Sequence, residues 1–150
     1  MKVLFLDLDG VVNSRRTAVA CDGYPYDFSK KEMERFDPIA LKLIRKLCEE
    51  TGCSVVLSSD WRYSCTVHEV ANGLDLPVID FTPVKGLHKK RGEEIAAWMF
   101  DHPEVTQYAI VDDNNWMLSE QQDNFVQTNE EIGLTLRDYL DLKAILMSEE

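Results

Sequence analysis

The sequence predicts an α/β fold with a central, mainly parallel β-sheet. Short apolar segments alternate with amphipathic segments along the 150 residues, which is the pattern of strands joined by crossover helices. Two of the apolar segments, 55–57 and 108–111, read as strands covered on both faces. Residues 1–150 are long enough to bury a full core, so we expect one domain with helices on both sides of the sheet.

The first part of the chain contains a clear helix between two strands. Asp37 is a typical N-cap and Pro38 is favoured at the first helical position, while Gly52 is a typical stop. The predicted elements are a strand at 2–7, an irregular polar stretch at 13–36, a helix from 38 to Gly52 and a strand at 54–58.

The second part continues the alternation. Thr135 and Asp138 resemble a capping box, which predicts that a last helix starts there, and His102-Pro103 ends the helix before it. The predicted elements are a short helix within 61–76, strands at 78–81, 108–111 and 125–127, and helices at 92–100 and from 135.

Charge and composition exclude several kinds of partner. The net charge of −11 disfavours extended, non-specific binding to nucleic acid or to anionic membranes. The chain has no apolar run long enough to span a membrane, and its N-terminus does not read as a signal peptide. The four cysteines form no Cys-x-x-Cys pair, so we expect reduced thiols in a cytoplasmic protein. No feature of the sequence indicates an oligomeric state.

Reactive polar residues follow three of the predicted strands. Parallel strands end at the same edge of a sheet, where open α/β folds bind ligands. Carboxylates gathered there repel one another unless a cation or a proton offsets their charge. The sequence therefore predicts a metal-dependent acid site. Its residues come in three pairs, Asp7 and Asp9, Ser58 and Ser59, and Asp112 and Asp113, and Gly10 follows the first pair.

The order of these motifs resembles that of the haloacid dehalogenase (HAD) superfamily of phosphatases. The four matching features are Asp7-Leu8-Asp9-Gly10-Val11, the strand ending at Ser58, the basic residues at a helix start, and Asp112-Asp113. More narrowly, the segments 58–62, 91–95 and 133–135 are similar to the small HAD domain of RNA-repair proteins and, more distantly, to the phosphatase half of polynucleotide kinase-phosphatases. The resemblance implies a Rossmann-like three-layer sandwich.

The resemblance also implies roles for the site residues. Asp7 would be the nucleophile, and Asp9 the general acid and then the base, with its backbone carbonyl at the metal. Asp112 would hold Mg²⁺ together with Asp7, and Asp113 would support the metal through water or a hydrogen bond. Ser58 would bind a phosphoryl oxygen, and backbone N–H groups near Gly10 would complete the phosphate cradle.

Two assignments in this pattern stay open. Of the adjacent residues Lys89, Lys90 and Arg91, we predict that Lys90 enters the site as a point charge, with Arg91 as the alternative. Ser59 is the alternative to Ser58 for phosphate binding.

Other residues beside the motifs also have two interpretations. Arg62 suits a phosphate or carboxylate ligand, or else a surface salt bridge. Trp61 and Trp116 either stack on a base or pack in the core, whereas Trp98 has core spacing.

The stretches where related enzymes carry a cap domain are short here, at 13–36 and 63–85. An open cleft would admit the phosphorylated end of a large molecule. Tyr24 and Tyr26 would line its entrance. A local positive funnel would be formed by Arg15, Arg16, Arg62, Lys85, Lys89, Lys90 and Arg91.

These features predict a Mg²⁺-dependent phosphomonoesterase that works through an aspartyl-phosphate. The expected substrate is a nucleotide or a nucleic-acid terminal phosphate. One alternative is a small-molecule phosphatase, such as a nucleoside monophosphatase. A non-catalytic phosphate-binding module is another, although an aspartate at position 9 favours hydrolysis. A phospho-receiver domain is disfavoured because the second strand ends in serines.

Overall fold

The computed structural model describes residues 1–84 and 90–149. Within them, the strands are β1 (Lys2–Leu6), β2 (Ser54–Leu57), β3 (Val78–Phe81), β4 (Gln107–Asp112) and β5 (Phe125–Gln127). They form one sheet in the order β3-β2-β1-β4-β5, and each neighbouring pair is parallel. The predicted α/β class with a parallel sheet is confirmed.

The helices follow the predicted alternation, with two differences. The stretch 13–36 is not irregular throughout, because it contains two short helices. The segment 61–76 contains a 3₁₀ turn followed by a helix. The α-helices are α1 (Arg15–Ala20), α2 (Lys30–Met33), α3 (Pro38–Thr51), α4 (Val67–Leu74), α5 (Arg91–Phe100) and α6 (Leu136–Met147), and 3₁₀ helices lie at Asp60–Tyr63 and Ser119–Asn124. In the described parts of the chain, no helix is both long and apolar enough to cross a membrane.

The predicted helix caps are present. The Asp37 side chain accepts hydrogen bonds from the backbone N–H groups of Ile39 and Ala40, which caps α3. Thr135 and Asp138 form a reciprocal capping box at the start of α6. Because caps satisfy N–H groups that have no partner inside the helix, these residues fix where α3 and α6 begin.

The sheet has a core on each face. Leu4 and Leu6 of β1 point into a large cluster that includes buried residues of α3, α4 and α6. Val3 and Phe5 point the other way, into a smaller cluster with Ile95 of α5. Alternate residues of one strand thus feed opposite cores, as the strand period of two requires. The result is the predicted three-layer arrangement.

The topology opens a crevice at the carboxyl edge of the sheet. The chain runs from β1 to β2 and β3 on one side, and then returns to β4 on the other side of β1. Asp7 follows β1 directly, and its backbone N–H donates to the Val111 carbonyl of β4 at 3.1 Å. Residues at the ends of β1 and β4 therefore meet at the switch point, where ligands bind in this class of fold.

Candidate active site

Three carboxylates converge at the ends of β1 and β4. Asp7 and Asp112 are buried and Asp113 is half-buried. One oxygen from each of the three residues lies within 4.8 Å of the others. Clustered carboxylate oxygens are the donors that Mg²⁺ prefers, so these residues fit a divalent cation. The predicted convergence of Asp7, Asp112 and Asp113 is therefore present in the fold.

The negative charges of the three carboxylates repel one another. Burial raises the pKa of Asp7 well above its ordinary value and the charge of Asp112 raises it further, while Arg91 opposes the shift. Burial, together with a hydrogen bond and the charge of Asp112, raises the pKa of Asp113 to about 6. The cluster holds more negative charge than its surroundings offset, which a bound cation would relieve.

Among the described residues, Arg91 is the basic residue that contacts the cluster. Its Nη1 lies 2.7 Å from Asp112 Oδ2 and 3.2 Å from Asp7 Oδ1, and its Nη2 lies 3.2 Å from Asp60 Oδ1. Lys90, which we predicted for this place, precedes the first turn of α5 and is exposed. The structure therefore places Arg91, and not Lys90, at the carboxylates. A guanidinium can bond several carboxylates at once, which a lysine ammonium on one stem does less readily.

The two serines after β2 have different surroundings. The Ser58 hydroxyl is fully buried and has no hydrogen-bond partner among the described residues. The Ser59 hydroxyl accepts from the Trp61 backbone N–H at 3.3 Å, and so caps the 3₁₀ helix. An unpaired buried hydroxyl is costly, and a ligand oxygen would satisfy it. Of the two hydroxyls, that of Ser58 is the one that lacks a partner among the described residues, and its role in phosphate binding stays a prediction.

Asp9 lies outside the three-carboxylate cluster and its side chain is exposed. Oδ1 accepts from Asn13 Nδ2 at 2.9 Å, and Trp61 Nε1 lies 3.2 Å from both Asp9 oxygens. The next residue, Gly10, has a φ of +82°, and a Cβ there would lie 2.4 Å from Asp113 Oδ2. The turn after Asp9 thus requires glycine, because its φ is positive and a side chain would displace Asp113.

Arg62 lies in a buried ion pair. It is buried, and its Nη2 lies 3.2 Å from Glu94 Oε1 in α5. Its Nη1 donates to the Thr82 carbonyl at 3.0 Å and also to the Thr82 hydroxyl. The alternative of an exposed salt bridge is wrong, because the pair is buried, and the phosphate contact stays a prediction. The partner lies 32 positions away in sequence, beyond the reach of local patterns.

The described residues of the predicted positive funnel have different partners. Arg15 pairs with Glu131 at 3.4 Å on the surface, and Arg16 lines a separate cavity of about 670 Å³. Lys85 and Lys89 lie outside the described residues. A cavity of about 290 Å³ beside the cluster has an acidic lining instead. Its lining residues are Asp9, Gly10, Tyr24, Pro25, Asp113 and Glu130.

Sequence reasoning missed the contacts of Asp60 and the hydrogen bond from Trp61 to Asp9. Both residues belong to the segment 58–62, so their position directly after Ser58 was the available signal. Trp61 is buried, as the core interpretation required, and Trp98 is buried as predicted. Trp116 is exposed, so the core interpretation fails for it.

A protein-family model described as the HAD domain in Swiss Army Knife RNA repair proteins matches residues 3–139. Comparison with curated proteins and comparison with solved structures each gave no significant match. The match runs from the second residue of β1 through β5 to the first turn of α6, and so includes every residue of the candidate site.

Proposed function

The chain belongs to the HAD domains of Swiss Army Knife RNA repair proteins, and we propose that it is a Mg²⁺-dependent phosphomonoesterase that uses Asp7 as its nucleophile. The observation that carries the proposal is the cluster of Asp7, Asp112 and Asp113 with Arg91 against two of its members. Such a cluster combines an attacking carboxylate with donors for a divalent ion.

Each site residue has a task in the first half of the reaction. Asp7, Asp112 and Asp113 would hold Mg²⁺, which offsets the repulsion between an anionic nucleophile and an anionic phosphate. An Asp7 oxygen attacks phosphorus, the bond from phosphorus to the leaving oxygen breaks, and that oxygen takes a proton from Asp9. The Ser58 hydroxyl donates to a phosphoryl oxygen.

The second half of the reaction returns the enzyme to its starting state. Asp9, now a carboxylate, takes a proton from a water molecule, and the water oxygen attacks the phosphorus of the aspartyl-phosphate. The acyl-phosphate bond breaks, which releases inorganic phosphate and restores the Asp7 carboxylate. Arg91, which contacts Asp7 and Asp112, steadies the negative charge in both steps.

The preferred substrate class in this proposal is a nucleotide or nucleic-acid terminal phosphate. The family description, which places related domains in RNA-repair proteins, supports it. The acidic cavity beside the cluster favours a second candidate, a small phosphomonoester such as a nucleoside monophosphate. Glu130 and Asp113 line that cavity and would repel a run of phosphates.

Phosphate release tests the proposal directly. We expect p-nitrophenyl phosphate and terminally phosphorylated oligonucleotides to be hydrolysed with Mg²⁺ and not with EDTA. D7N should lose turnover while keeping the circular dichroism spectrum of the wild type. The matched control is D141N, at an exposed position in α6.

Two results would overturn the proposal. Retained activity in D7N would refute the nucleophile, and release unaffected by EDTA would refute the metal requirement. Equal kcat/KM for mononucleotides and for oligonucleotide ends would favour the small-substrate candidate.

A further inference from the structure

The indole N–H of Trp61 points at the Asp9 carboxylate. Trp61 Nε1 lies 3.2 Å from Oδ1 and 3.2 Å from Oδ2, so one donor spans both oxygens. Asn13 approaches the same group from another direction, with Nδ2 2.9 Å from Oδ1. Asp9 is exposed, whereas Trp61 and Asn13 are buried. An exposed carboxylate is thus bonded by two buried donors.

The indole is itself held by residues of the stretch 13–36. The Phe28 ring centroid lies 5.0 Å from that of Trp61, and the Phe36 centroid lies 5.8 Å from it. The two phenyl rings stack on each other at 6.0 Å. Aromatic groups packed at these distances stabilise one another and restrict rotation of the rings.

Helix α4 packs against this aromatic cluster at Phe28. A Cβ added at Gly73 would lie 2.5 Å from Phe28 Cβ, so α4 and Phe28 are already in close contact. The contacts therefore run without a gap from Gly73 to Phe28, then to Trp61, and finally to the Asp9 carboxylate.

We propose that Trp61 is a positioning residue that aims the Asp9 carboxyl at the leaving oxygen, and that the stretch 13–36 serves chiefly to hold Trp61 in place. The inference rests on the proposed function, because it concerns the proton that Asp9 gives to the leaving group. It assigns the stretch 13–36 a role in transfer of that proton, in addition to lining the cleft.

The hydrogen bonds also distinguish the two Asp9 oxygens. Oδ1 accepts from both Asn13 and Trp61, while Oδ2 has the Trp61 contact alone. Oδ2 thus keeps more free acceptor capacity than Oδ1, and we assign the proton transfer to this oxygen. When the bond from phosphorus to the leaving oxygen breaks, the proton moves from Oδ2 to that oxygen, and Asp9 is left as a carboxylate.

Dependence on the leaving group separates this role from general support of the fold. The p-nitrophenolate ion is stable and leaves without a proton, whereas an alkoxide needs one. General acids contribute roughly 10²–10⁴-fold to rates, so partial misplacement of Asp9 should cost about tenfold with a poor leaving group. The relevant quantity is kcat/KM, which covers the steps up to phosphorylation of Asp7 and excludes the later attack by water.

The experiment compares W61F with the wild type on p-nitrophenyl phosphate and on an alkyl phosphate such as glycerol phosphate. We expect kcat/KM to fall about tenfold for the alkyl ester and less than about threefold for the aryl ester. F28L keeps the indole N–H but loosens its support, and should show the same selectivity to a smaller degree.

The chain offers a matched control in Trp98. This buried indole donates to Asp80 Oδ2 at 2.8 Å on the opposite face of the sheet, far from Asp9 in the chain. W98F also removes a buried indole hydrogen bond, and it should affect both esters equally.

The proposal is wrong if kcat/KM falls equally for both esters in W61F and in F28L. It is also wrong if kcat/KM falls for neither ester in these variants. If W61F fails to fold, F28L decides instead, by the loss of kcat/KM for the alkyl ester relative to the loss for the aryl ester. A wild-type protein that hydrolyses neither ester would instead refute the proposed function, so the two failures are distinguishable.

Discussion

Ser58 and Ser59 are neighbours in sequence, but their hydroxyls have different hydrogen-bond surroundings. The Ser59 hydroxyl accepts a backbone N–H and starts the 3₁₀ helix at Asp60–Tyr63. The Ser58 hydroxyl is buried without a partner among the residues the structure describes. Burial of an unsatisfied hydroxyl costs about 1–3 kcal/mol, which a ligand oxygen can recover.

This difference predicts opposite effects for two alanine variants. S58A should lower kcat/KM for p-nitrophenyl phosphate by about 10- to 100-fold, because it loses a hydrogen bond to the phosphoryl group. Its free energy of unfolding should be unchanged or slightly higher, because the variant no longer buries an unpaired hydroxyl. S59A should lose about 1 kcal/mol of stability with little loss of kcat/KM. Steady-state kinetics and urea unfolding measure both. Equal kinetic losses in the two variants would contradict the assignment.

Arg91 and Lys90 give a second test at the scale of single residues. R91A should lose most of kcat, because Arg91 contacts Asp7 and Asp112, and K90A should keep it. R91K should recover only part of the activity, since one ammonium cannot reproduce the contacts of Nη1 and Nη2. A K90A variant as inactive as R91A would show that the basic group was misassigned.

The choice between these residues shows where sequence reasoning stops. Asp7 and Asp112 were predictable, because any residue that ends a buried parallel strand reaches the same edge of the sheet. Lys90 and Arg91 are both basic and adjacent, and only the register of α5 decides which one turns inward. The helix begins at Arg91, one residue before the predicted start.

At the scale of elements, a buried ion pair joins the 3₁₀ helix after β2 to α5. Arg62 and Glu94 are almost fully buried, and their side chains lie 3.2 Å apart. The segment that carries Arg62 also carries Asp60 and Trp61, and α5 carries Arg91. The pair therefore joins two of the segments that contribute residues to the site.

Breaking this pair should destabilise the protein far more than breaking a surface pair. E94Q leaves a buried guanidinium without its counter-ion and should cost about 3 kcal/mol of unfolding free energy. The control is E131Q, which breaks the exposed pair with Arg15 and should cost less than about 1 kcal/mol. Urea unfolding measures both, and similar values for the two variants would contradict the account.

The regular elements were more predictable than the connections between them. The bounds of β3 and β5 match the sequence prediction, and α3 begins at Pro38 because Asp37 caps it. Residues 13–36 have short helices and aromatic contacts that no repeating pattern announces. Their order depends on distant partners such as Trp61, so local propensity could not reveal it.

At the scale of the whole molecule, the fold gathers carboxylates on a chain that is already acidic. The net charge is −11, and Asp7, Asp112 and Asp113 lie together at one edge of the sheet. The sequence predicts that the strands are parallel, but it does not predict their order in the sheet. After β3 the chain crosses to the other side of β1 to form β4, and this crossing creates the crevice. The crossing follows from tertiary packing.

This concentration of charge predicts an unusual dependence of stability on pH in the absence of metal. The pKa of Asp113 is raised from 3.8 to about 6 in the folded state, chiefly by burial. Between these values the folded protein binds more protons than the unfolded chain, so stability falls as pH rises through this window. The raised pKa of Asp7 acts in the same direction.

In EDTA, the free energy of unfolding should therefore be higher at pH 5 than at pH 7, by on the order of 1 kcal/mol. D113N should flatten the dependence, because it removes one of the two titrating groups. Mg²⁺ should stabilise the protein more at pH 7 than at pH 5, since protons compete for the same oxygens. Stability in EDTA that rises from pH 5 to pH 7 would contradict the prediction.

A calorimetric titration of the protein with Mg²⁺ tests most directly whether Asp7, Asp112 and Asp113 hold a cation. We expect one site per chain in the wild type, and loss of that binding in D112N, which removes one of the three clustered carboxylates. D141N, at an exposed position in α6, should bind as the wild type does. A wild-type chain that binds no Mg²⁺, or a D112N variant that binds it with unchanged affinity, would contradict the claim.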